Sequence, residues 1–229
     1  MATDFDFLTF DCYGTLIDWR RGIEEAFSMF GRSVGRQFSP ERVLELHARI
    51  EPEVQAEEFQ RYGEVLDLTA ARIAAEFGVE IPADDRHFLS DSLPSWQPFA
   101  DTGPALERLR AAGYRLGILS NVDDDLLAGT LDHFSVDFDL LVTAQQVGSY
   151  KPALGHFREA RRQIGEASWL HVAQSFFHDV QPAAALDLPV VWINRLREDP
   201  YSAARPLAVF PDMASFAEQA TRGGGFTGS

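Results

Sequence analysis

Cysteine is almost absent from this chain of 229 residues, which contains only Cys12. A single cysteine excludes an intrachain disulfide, so the fold must be stable without covalent cross-links. No run of about 18 apolar residues is present to cross a bilayer. No basic segment followed by an apolar stretch marks a signal peptide. These absences predict a soluble cytoplasmic protein, and the 45% hydrophobic content is enough for a sizeable core.

Basic residues are scarce relative to acids. The chain has 20 Lys and Arg against 35 Asp and Glu, which gives a formal net charge of −15. Nucleic acids and anionic membranes require a basic face, so the sequence predicts neither as a partner. A small anionic substrate stays possible, because a few cations inside a pocket outweigh distant surface charge.

Five short apolar runs have the composition of buried strands. They are Phe5 to Phe10, Tyr114 to Ser120, Phe138 to Ala144, Trp169 to Ser175 and Pro189 to Arg195. Helix-like segments lie between them, such as "TGPALERLRAAG", which stops at Gly113. This alternation predicts an α/β fold with a Rossmann-like, doubly wound parallel sheet.

A long segment interrupts the alternation and is helical in pattern throughout. Ser39 is placed to cap a helix with Pro40 at its first position, and a second helix is predicted to end at Gly78. We therefore expect an inserted helical cap over residues 16–98 and a core made of residues 1–15 and 99–222. The composition of residues 223–229 predicts a flexible tail.

Polar residues follow four of the predicted strands. They are Asp11, the pair Ser120 and Asn121, Lys151, and the group from Gln174 to Asp179. A single polar strand end is usually a turn or a helix cap. In an open parallel sheet, however, ligands bind beyond the carboxyl ends of the strands. Four polar ends on one edge therefore predict a functional site there.

These four segments carry a family resemblance. In chain order, "DCYGT", "ILSN", "SYKP" and "SFFHD" resemble the four motifs of the haloacid dehalogenase superfamily. The resemblance implies that Asp11 attacks the substrate and forms a covalent ester or phosphoester. A carboxylate held at a strand end suits that role, and Lys151 would keep it ionised. Thr15, Ser120 and Asn121 supply donors for a substrate carboxylate or for developing negative charge.

Two residues of the motifs favour one branch of the superfamily. Tyr13 stands where its phosphatases carry a general acid, and Gln174 stands where they carry an acid that binds magnesium. An amide is a weak ligand for that cation. The pattern "DxYGT" is similar to the metal-independent 2-haloacid dehalogenases, which implies no metal and no cofactor. Asp11 would then displace a leaving group from the α-carbon of a small carboxylic acid, and Asp179 would assist the water that hydrolyses the ester.

Further residues are candidates for the walls of the substrate site. They are Tyr13, Trp19, Ser175, Phe176 and His178. Each also has a plainer interpretation: Trp19 as a staple of the linker, Phe176 as core, and His178 as a hydrogen-bonded wall residue and not a base. Strand alternation is expected to point Cys12 away from Asp11.

The substrate shell departs from the 2-haloacid dehalogenase pattern. The arginine expected in the cap corresponds to a position near Glu53, with Arg49 and Arg61 as possible replacements, and the tyrosine expected after the motif lysine is Phe157. The sequence is also similar to a side branch that includes an azetidine-2-carboxylate hydrolase. In that alternative the leaving group is an amine, which would favour Glu51 or Glu53 over an arginine. A phosphatase, a non-catalytic binding module and a homodimer paired through cap helices also stay open.

Overall fold

The computed structural model describes residues 5–222. The predicted tail at residues 223–229 lies outside the described part of the chain. Within residues 5–222, no helix is both long and apolar enough to cross a membrane.

A six-stranded parallel sheet organises the fold and confirms the predicted α/β class. The strands are β1 (Phe7–Phe10), β2 (Arg115–Ser120), β3 (Leu140–Thr143), β4 (Trp169–Ala173), β5 (Val190–Ile193) and β6 (Ala208–Phe210). Their spatial order is β3-β2-β1-β4-β5-β6, and every neighbouring pair is parallel. The connections reverse direction between β1 and β4, and such a reversal opens a crevice at the carboxyl ends of those two strands.

The first five strands coincide with the five apolar runs of the sequence. Their near-continuous burial is typical of parallel strands covered on both faces. The sixth strand was not predicted. It has three residues, and Val209 at its centre is exposed. In the sequence it corresponds to the short apolar run Leu207 to Phe210, which lies between two prolines and was not assigned to a strand.

The helices fall between the strands and in the inserted segment. They are α1 (Trp19–Ser33), α2 (Pro40–Gln55), α3 (Tyr62–Glu76), α4 (Phe88–Ser92), α5 (Thr102–Ala111), α6 (Asp124–Leu131), α7 (Ala144–Val147), α8 (Gly155–Ile164), α9 (Gln181–Ala185) and α10 (Met213–Thr221). Ser39 caps α2 as predicted, because its hydroxyl accepts a hydrogen bond from the Arg42 N–H at 3.3 Å. After α3, Gly78 has a φ of 68°, a conformation that glycine adopts without steric cost.

The described chain divides into two compact units. The first comprises residues 5–17, 98–121 and 133–222 and contains the whole sheet. The second comprises residues 18–97 and 122–132. It includes α6, which the predicted cap over residues 16–98 did not.

A buried carboxylate explains why α6 belongs to the second unit. Asp123, which precedes α6, is 2% exposed. It accepts hydrogen bonds from the N–H groups of Tyr62 at 3.0 Å and Gly63 at 2.9 Å. An acid at this position satisfies orphan donors at the start of α3 and complements the helix dipole. No periodic pattern in the sequence indicates this long-range contact.

A close helix contact in the second unit generates a stability prediction. Gly22 lies in α1, and a Cβ added there would be 2.3 Å from Cγ of the buried Trp96. We expect Gly22→Ala to lower the free energy of unfolding by about 1–3 kcal/mol through overpacking. Gly103→Ala in α5 is the control, since a Cβ there meets nothing within 4 Å. Urea unfolding of the two variants tests this, and equal stability would contradict the packing argument.

Candidate active site

The turn after β1 places Asp11 at the crevice. The Asp11 N–H donates to the carbonyl of Val172 on β4 at 3.1 Å, so the backbone of Asp11 is held between the two strands. The chain then turns sharply: Gly14, with a φ of 104°, donates its N–H to the carbonyl of Ile17 at 2.8 Å. This φ favours glycine. The Asp11 carboxylate ends 8% exposed, at the edge of the sheet.

Thr15 fixes one oxygen of that carboxylate. Its hydroxyl donates to Asp11 Oδ2 at 2.8 Å and accepts the Gln174 N–H at 2.8 Å. The hydroxyl is fully buried, so both bonds form away from solvent. Thr15 therefore connects the segment after β1 to the segment after β4.

Lys151 is the only lysine of the chain and lies at the centre of the site. Its ammonium makes three hydrogen bonds: to Asp11 Oδ1 at 2.9 Å, to Asp179 Oδ1 at 2.6 Å and to the Leu119 carbonyl at 2.9 Å. These use all three of its donors. The side chain is 1% exposed. One buried cation is thus shared between two buried carboxylates.

Asn121 holds the backbone of that lysine. Its amide oxygen accepts the Lys151 N–H at 2.7 Å, and its amide nitrogen donates to the Lys151 carbonyl at 3.0 Å. The sequence predicted a donor to the substrate at this position. In the structure both polar atoms of the side chain bond the backbone of Lys151, so Asn121 supports the lysine, and its predicted role as a donor to the substrate stays a prediction.

Asp179 is fully buried and asymmetrically bonded. Its Oδ1 accepts from Lys151 and also from His171 Nε2, the latter at 2.9 Å. Its Oδ2 is buried and has no hydrogen-bond partner among the described residues. One oxygen is therefore anchored, while the other is left to accept a proton.

The three charged groups have shifted pKa values. Burial raises the pKa of Asp11, despite the attraction of Lys151. Burial acts in the same direction at Asp179, but Lys151 and the hydrogen bond from His171 outweigh it and lower the pKa of Asp179 to about 2. The two carboxylates in turn overcome burial at Lys151 and raise its pKa above the usual lysine value. Lys151 therefore stays cationic and Asp179 stays ionised at neutral pH.

Ser120 and His156 lie beside this cluster. The Ser120 hydroxyl is buried without a hydrogen-bond partner among the described residues, as a group that awaits a ligand would be. His156 Nε2 donates to the Ser120 carbonyl at 3.0 Å. Burial, with a smaller effect of Lys151, lowers the pKa of His156 to about 3, so the ring is neutral. The predicted role of Ser120 in substrate binding stays a prediction.

The segment after β4 forms a single wide π-type turn over Phe176–Val180. Ser175 caps it, because its hydroxyl accepts the His178 N–H at 3.0 Å, and its oxygen lies 3.1 Å from His178 Nδ1. Burial lowers the pKa of His178. The turn itself is what carries Asp179 inward.

Phe176 lies in the core and not on a substrate wall. It is 2% exposed, and its ring lies 4.9 Å from that of Trp192, edge to face. The following residue, Phe177, is 47% exposed. Of the two interpretations that the sequence left open for Phe176, the structure favours core. Cys12 is fully buried, whereas the direction of its side chain relative to Asp11 stays a prediction.

Tyr13 and Trp19 are the remaining predicted wall residues. Tyr13 is half-buried in the turn after β1 and forms a β-bridge with Ile17. Trp19 belongs to the second unit, where its ring lies 5.4 Å from that of the buried His47. Their contacts with a substrate stay predictions.

The charged candidates of the cap region have partners within the second unit. Arg49 pairs with Glu76 at 2.7 Å, and Arg61 pairs with Asp125 at 2.5 Å. Glu53 is exposed, whereas Glu51 is half-buried. These pairs involve exposed side chains, which contribute little to stability.

Three polar residues of the site region were not predicted from the sequence. Thr9 and His171 lie inside β1 and β4, and Arg195, after β5, donates to the Thr15 carbonyl at 3.0 Å. The sequence marks Thr9 and His171 as the single polar residues inside the apolar runs "FLTF" and "WLHVA". A buried polar side chain must find a partner, so such a letter indicates a network.

The donor set fits a divalent cation poorly. The family resemblance of the sequence implies an acid after β4 in members that bind magnesium, and this chain has the neutral Gln174 there. Both oxygens of Asp11 already accept hydrogen bonds, one of them from the Lys151 ammonium. Across residues 5–222, no group of three or more His, Cys, Asp or Glu is arranged to hold a metal ion. We therefore derive no step through a metal.

The fold and the sequence together define a hydrolase. A family model described as haloacid dehalogenase-like hydrolase matches residues 5–186, which is most of the chain. The chain belongs to the haloacid dehalogenase-like hydrolase family, as the four motifs predicted.

Within this family, the chain is similar to 2-haloacid dehalogenases. An (S)-2-haloacid dehalogenase of Pseudomonas fluorescens is 29% identical over 199 residues, which cover 81% of this chain and 83% of the relative. An (S)-2-haloacid dehalogenase of Pseudomonas putida is 28% identical over 201 residues, covering 82% and 84%. The fold matches the structure of the L-2-haloacid dehalogenase from Xanthobacter autotrophicus with chloropropionic acid covalently bound. That match has a TM-score of 0.81 at 18% identity and covers 96% of this chain and 100% of the other.

The shared lysine predicts a pH-dependent stability defect. Lys151→Met leaves Asp11 and Asp179 buried without their cation, and we expect it to cost about 3–5 kcal/mol of unfolding free energy at neutral pH. Without Lys151, burial raises the folded-state pKa of both carboxyls above their unfolded values. The folded state then binds more protons, so the defect should shrink as the pH falls.

Urea unfolding of Lys151→Met at pH 7.5 and at pH 5 measures this change. Arg162→Met is the matched control, because Arg162 is exposed and pairs with Glu159 in the same helix. A defect of equal size at both pH values would contradict the assignment of the cost to unpaired carboxylates.

Proposed function

We propose that the chain is a metal-independent hydrolase of the 2-haloacid dehalogenase type. Its substrate is a small carboxylic acid with a leaving group at the α-carbon, and its product is the 2-hydroxyacid. The observation that carries this proposal is the ammonium of Lys151, shared by Asp11 and Asp179 in a buried site. The similarity to two (S)-2-haloacid dehalogenases supports the substrate class. The second unit would serve as the cap.

In the first step, a carboxylate oxygen of Asp11 attacks the α-carbon. The new C–O bond forms as the carbon–halogen bond breaks, and the halide leaves with the bonding electron pair. Thr15 and Lys151 hold the carboxylate in one orientation, which suits in-line attack. The attraction of Lys151 opposes the effect of burial on the pKa of Asp11, which favours the ionised form that the nucleophile needs. The Ser120 hydroxyl is the candidate donor to the substrate carboxylate.

In the second step, water attacks the carbonyl carbon of the Asp11 ester. Asp179 accepts one proton from that water and passes it to the departing alkoxide, so the hydroxyacid forms as the ester C–O bond breaks. The oxygen of water stays in the Asp11 carboxylate, and the second proton is released. Asp179 suits this role because it is ionised and has one oxygen without a partner.

One observation favours the alternative in which the leaving group is an amine. Glu51 in the second unit is half-buried, and the Tyr62 hydroxyl donates to it at 3.3 Å. Burial raises the pKa of Glu51 to about 7, so this carboxyl exchanges protons near neutral pH. Such a group suits an amine, as in the ring opening of azetidine-2-carboxylate. A homodimer and a cytoplasmic location stay predictions.

A single-turnover reaction in 18O-labelled water tests the ester route. With enzyme in excess over 2-chloropropionate, we expect label in Asp11 and none in the lactate product, because the product oxygen comes from the carboxylate. Mass analysis of the peptide that contains Asp11 measures this. Asp11→Asn should abolish turnover, whereas Asp137→Asn, at an exposed position, is the control that should not.

Label in the lactate with unlabelled Asp11 would contradict the covalent route. A panel of 2-chloropropionate, azetidine-2-carboxylate and a generic phosphoester, each with and without a chelator, then identifies the leaving group. Halide release that persists with chelator supports the proposal. Activity that the chelator abolishes would overturn its metal-independent part.

A further inference from the structure

A buried chain of hydrogen bonds runs through the sheet to Asp179. Trp169 Nε1 lies 2.6 Å from Thr9 Oγ1, Thr9 Oγ1 lies 2.8 Å from His171 Nδ1, and His171 Nε2 lies 2.9 Å from Asp179 Oδ1. Thr9, His171 and Asp179 have no exposed surface, and Trp169 is 4% exposed. The mechanism above makes no use of Thr9 or Trp169.

One arrangement of donors and acceptors satisfies every polar atom of this chain. The indole of Trp169 is a donor only, so Thr9 Oγ1 accepts there. The Thr9 hydroxyl proton then has His171 Nδ1 as its one acceptor among the described residues. His171 Nδ1 is therefore unprotonated, and the ring proton is on Nε2, which donates to Asp179.

The sheet register brings these side chains together. Thr9 on β1 is the register partner of His171 on β4, and Trp169 lies two residues before His171 on the same face. The ring of Phe157 lies 5.3 Å from that of His171, edge to face at 85°, and restricts its rotation. The imidazole is thus fixed in both orientation and tautomer.

We propose that Thr9 and His171 are positioning residues that fix Asp179 for hydrolysis of the ester intermediate. This proposal rests on the proposed function, since Asp179 acts on the water only in the second step. His171 and Lys151 both bind Oδ1 and so leave Oδ2 to take the proton. The Nε2 proton of His171 gives a directed donor to Oδ1 of Asp179.

The proposal separates the two chemical steps. Asp11 and its partners Thr15 and Lys151 have no hydrogen bond to Thr9 or His171, so ester formation should proceed without the chain. Ester hydrolysis depends on Asp179, so it should slow when the chain of hydrogen bonds is broken. The titratable groups that act electrostatically on Asp179 are Lys151, Asp11, His171, His156 and His178.

The test compares Thr9→Val with Thr9→Ser in the full chain. Valine keeps the shape of threonine without the hydroxyl, and serine keeps the hydroxyl. We expect Thr9→Val to slow ester hydrolysis by about 10- to 100-fold, with ester formation changed far less. The Asp11 ester should then accumulate in quenched samples of the reaction with 2-chloropropionate, as seen by mass analysis. Thr9→Ser should behave like the unaltered chain.

A pH profile gives a readout that a purely structural role would not move. The hydrogen bond from His171 stabilises the ionised form of Asp179, so its loss raises the pKa of Asp179. The acid limb of ester hydrolysis should therefore move to higher pH in Thr9→Val. Equal losses in both steps, with an unchanged profile, would overturn the proposal, as would equal hydrolysis rates in the two variants.

A second pair of variants covers the case in which Thr9→Val does not fold. His171→Gln keeps one acceptor for Thr9 and one donor for Asp179, whereas His171→Leu keeps neither. We expect the ester to accumulate in His171→Leu and much less in His171→Gln. Equal accumulation in both would contradict a role for the donor.

Histidine NMR tests the tautomer without any substrate. Long-range 1H–15N spectra should show His171 protonated at Nε2, with its signals identified by their loss in His171→Gln. Protonation at Nδ1 would overturn the proposal. Failure to transfer 18O from water into Asp11 of the unaltered chain would instead overturn the proposed function, so the two failures are distinguishable.

Discussion

One ammonium shared between two buried carboxylates is the interaction on which this structure depends. Lys151, Asp11 and Asp179 are each less than one-tenth exposed, and transfer of such charges from water is costly unless every charge is paired. In this site the single ammonium of Lys151 pairs with both carboxylates at once. The excess negative charge lies with the two acids, and burial raises the pKa of the proposed nucleophile, Asp11.

The fold supplies the points that hold this arrangement. The reversal of strand order between β1 and β4 lets the segments after both strands meet. Thr15 links those segments, and Asn121 holds the backbone of Lys151 after β2. The polar atoms of Thr15 and Asn121 thus form hydrogen bonds within the protein. Four buried polar atoms of the site region have no hydrogen-bond partner in the described chain: the Ser120 hydroxyl, one oxygen of Asp179, His156 Nδ1 and Arg195 Nε.

Much of this arrangement was predictable from local patterns in the sequence. Apolar runs mark the first five strands, and polar residues at their ends mark Asp11, Ser120 and Lys151, because strand ends of a parallel sheet converge. The short edge strand β6 was missed because its apolar run, Leu207 to Phe210, is brief and lies between two prolines. The place of α6 in the second unit depends on a long-range contact, that of Asp123 with the start of α3.

The roles of single side chains were harder to predict than their location. Phe176 follows the strand end but packs on Trp192, because the wide turn directs it into the core. Asn121 has the right chemistry for a ligand but contacts Lys151. His171 and Thr9 were missed, since a polar letter within an apolar run gives no sign of its partner. Sequence patterns predict where the site is, whereas the hydrogen bonds of the structure indicate the role of each side chain in it.

Because Lys151 is the only lysine, 15N labelling of lysine gives one side-chain ammonium signal for the central interaction. We predict that this signal keeps the shift of a charged ammonium to a pH above the usual lysine pKa of about 10.4. We also predict that it moves once in acid, at a pH above the usual aspartate pKa, as Asp11 takes up a proton. Asp11→Asn should remove that step. Loss of the ammonium charge below the usual lysine pKa, or a step that persists in Asp11→Asn, would contradict the shared ion pair.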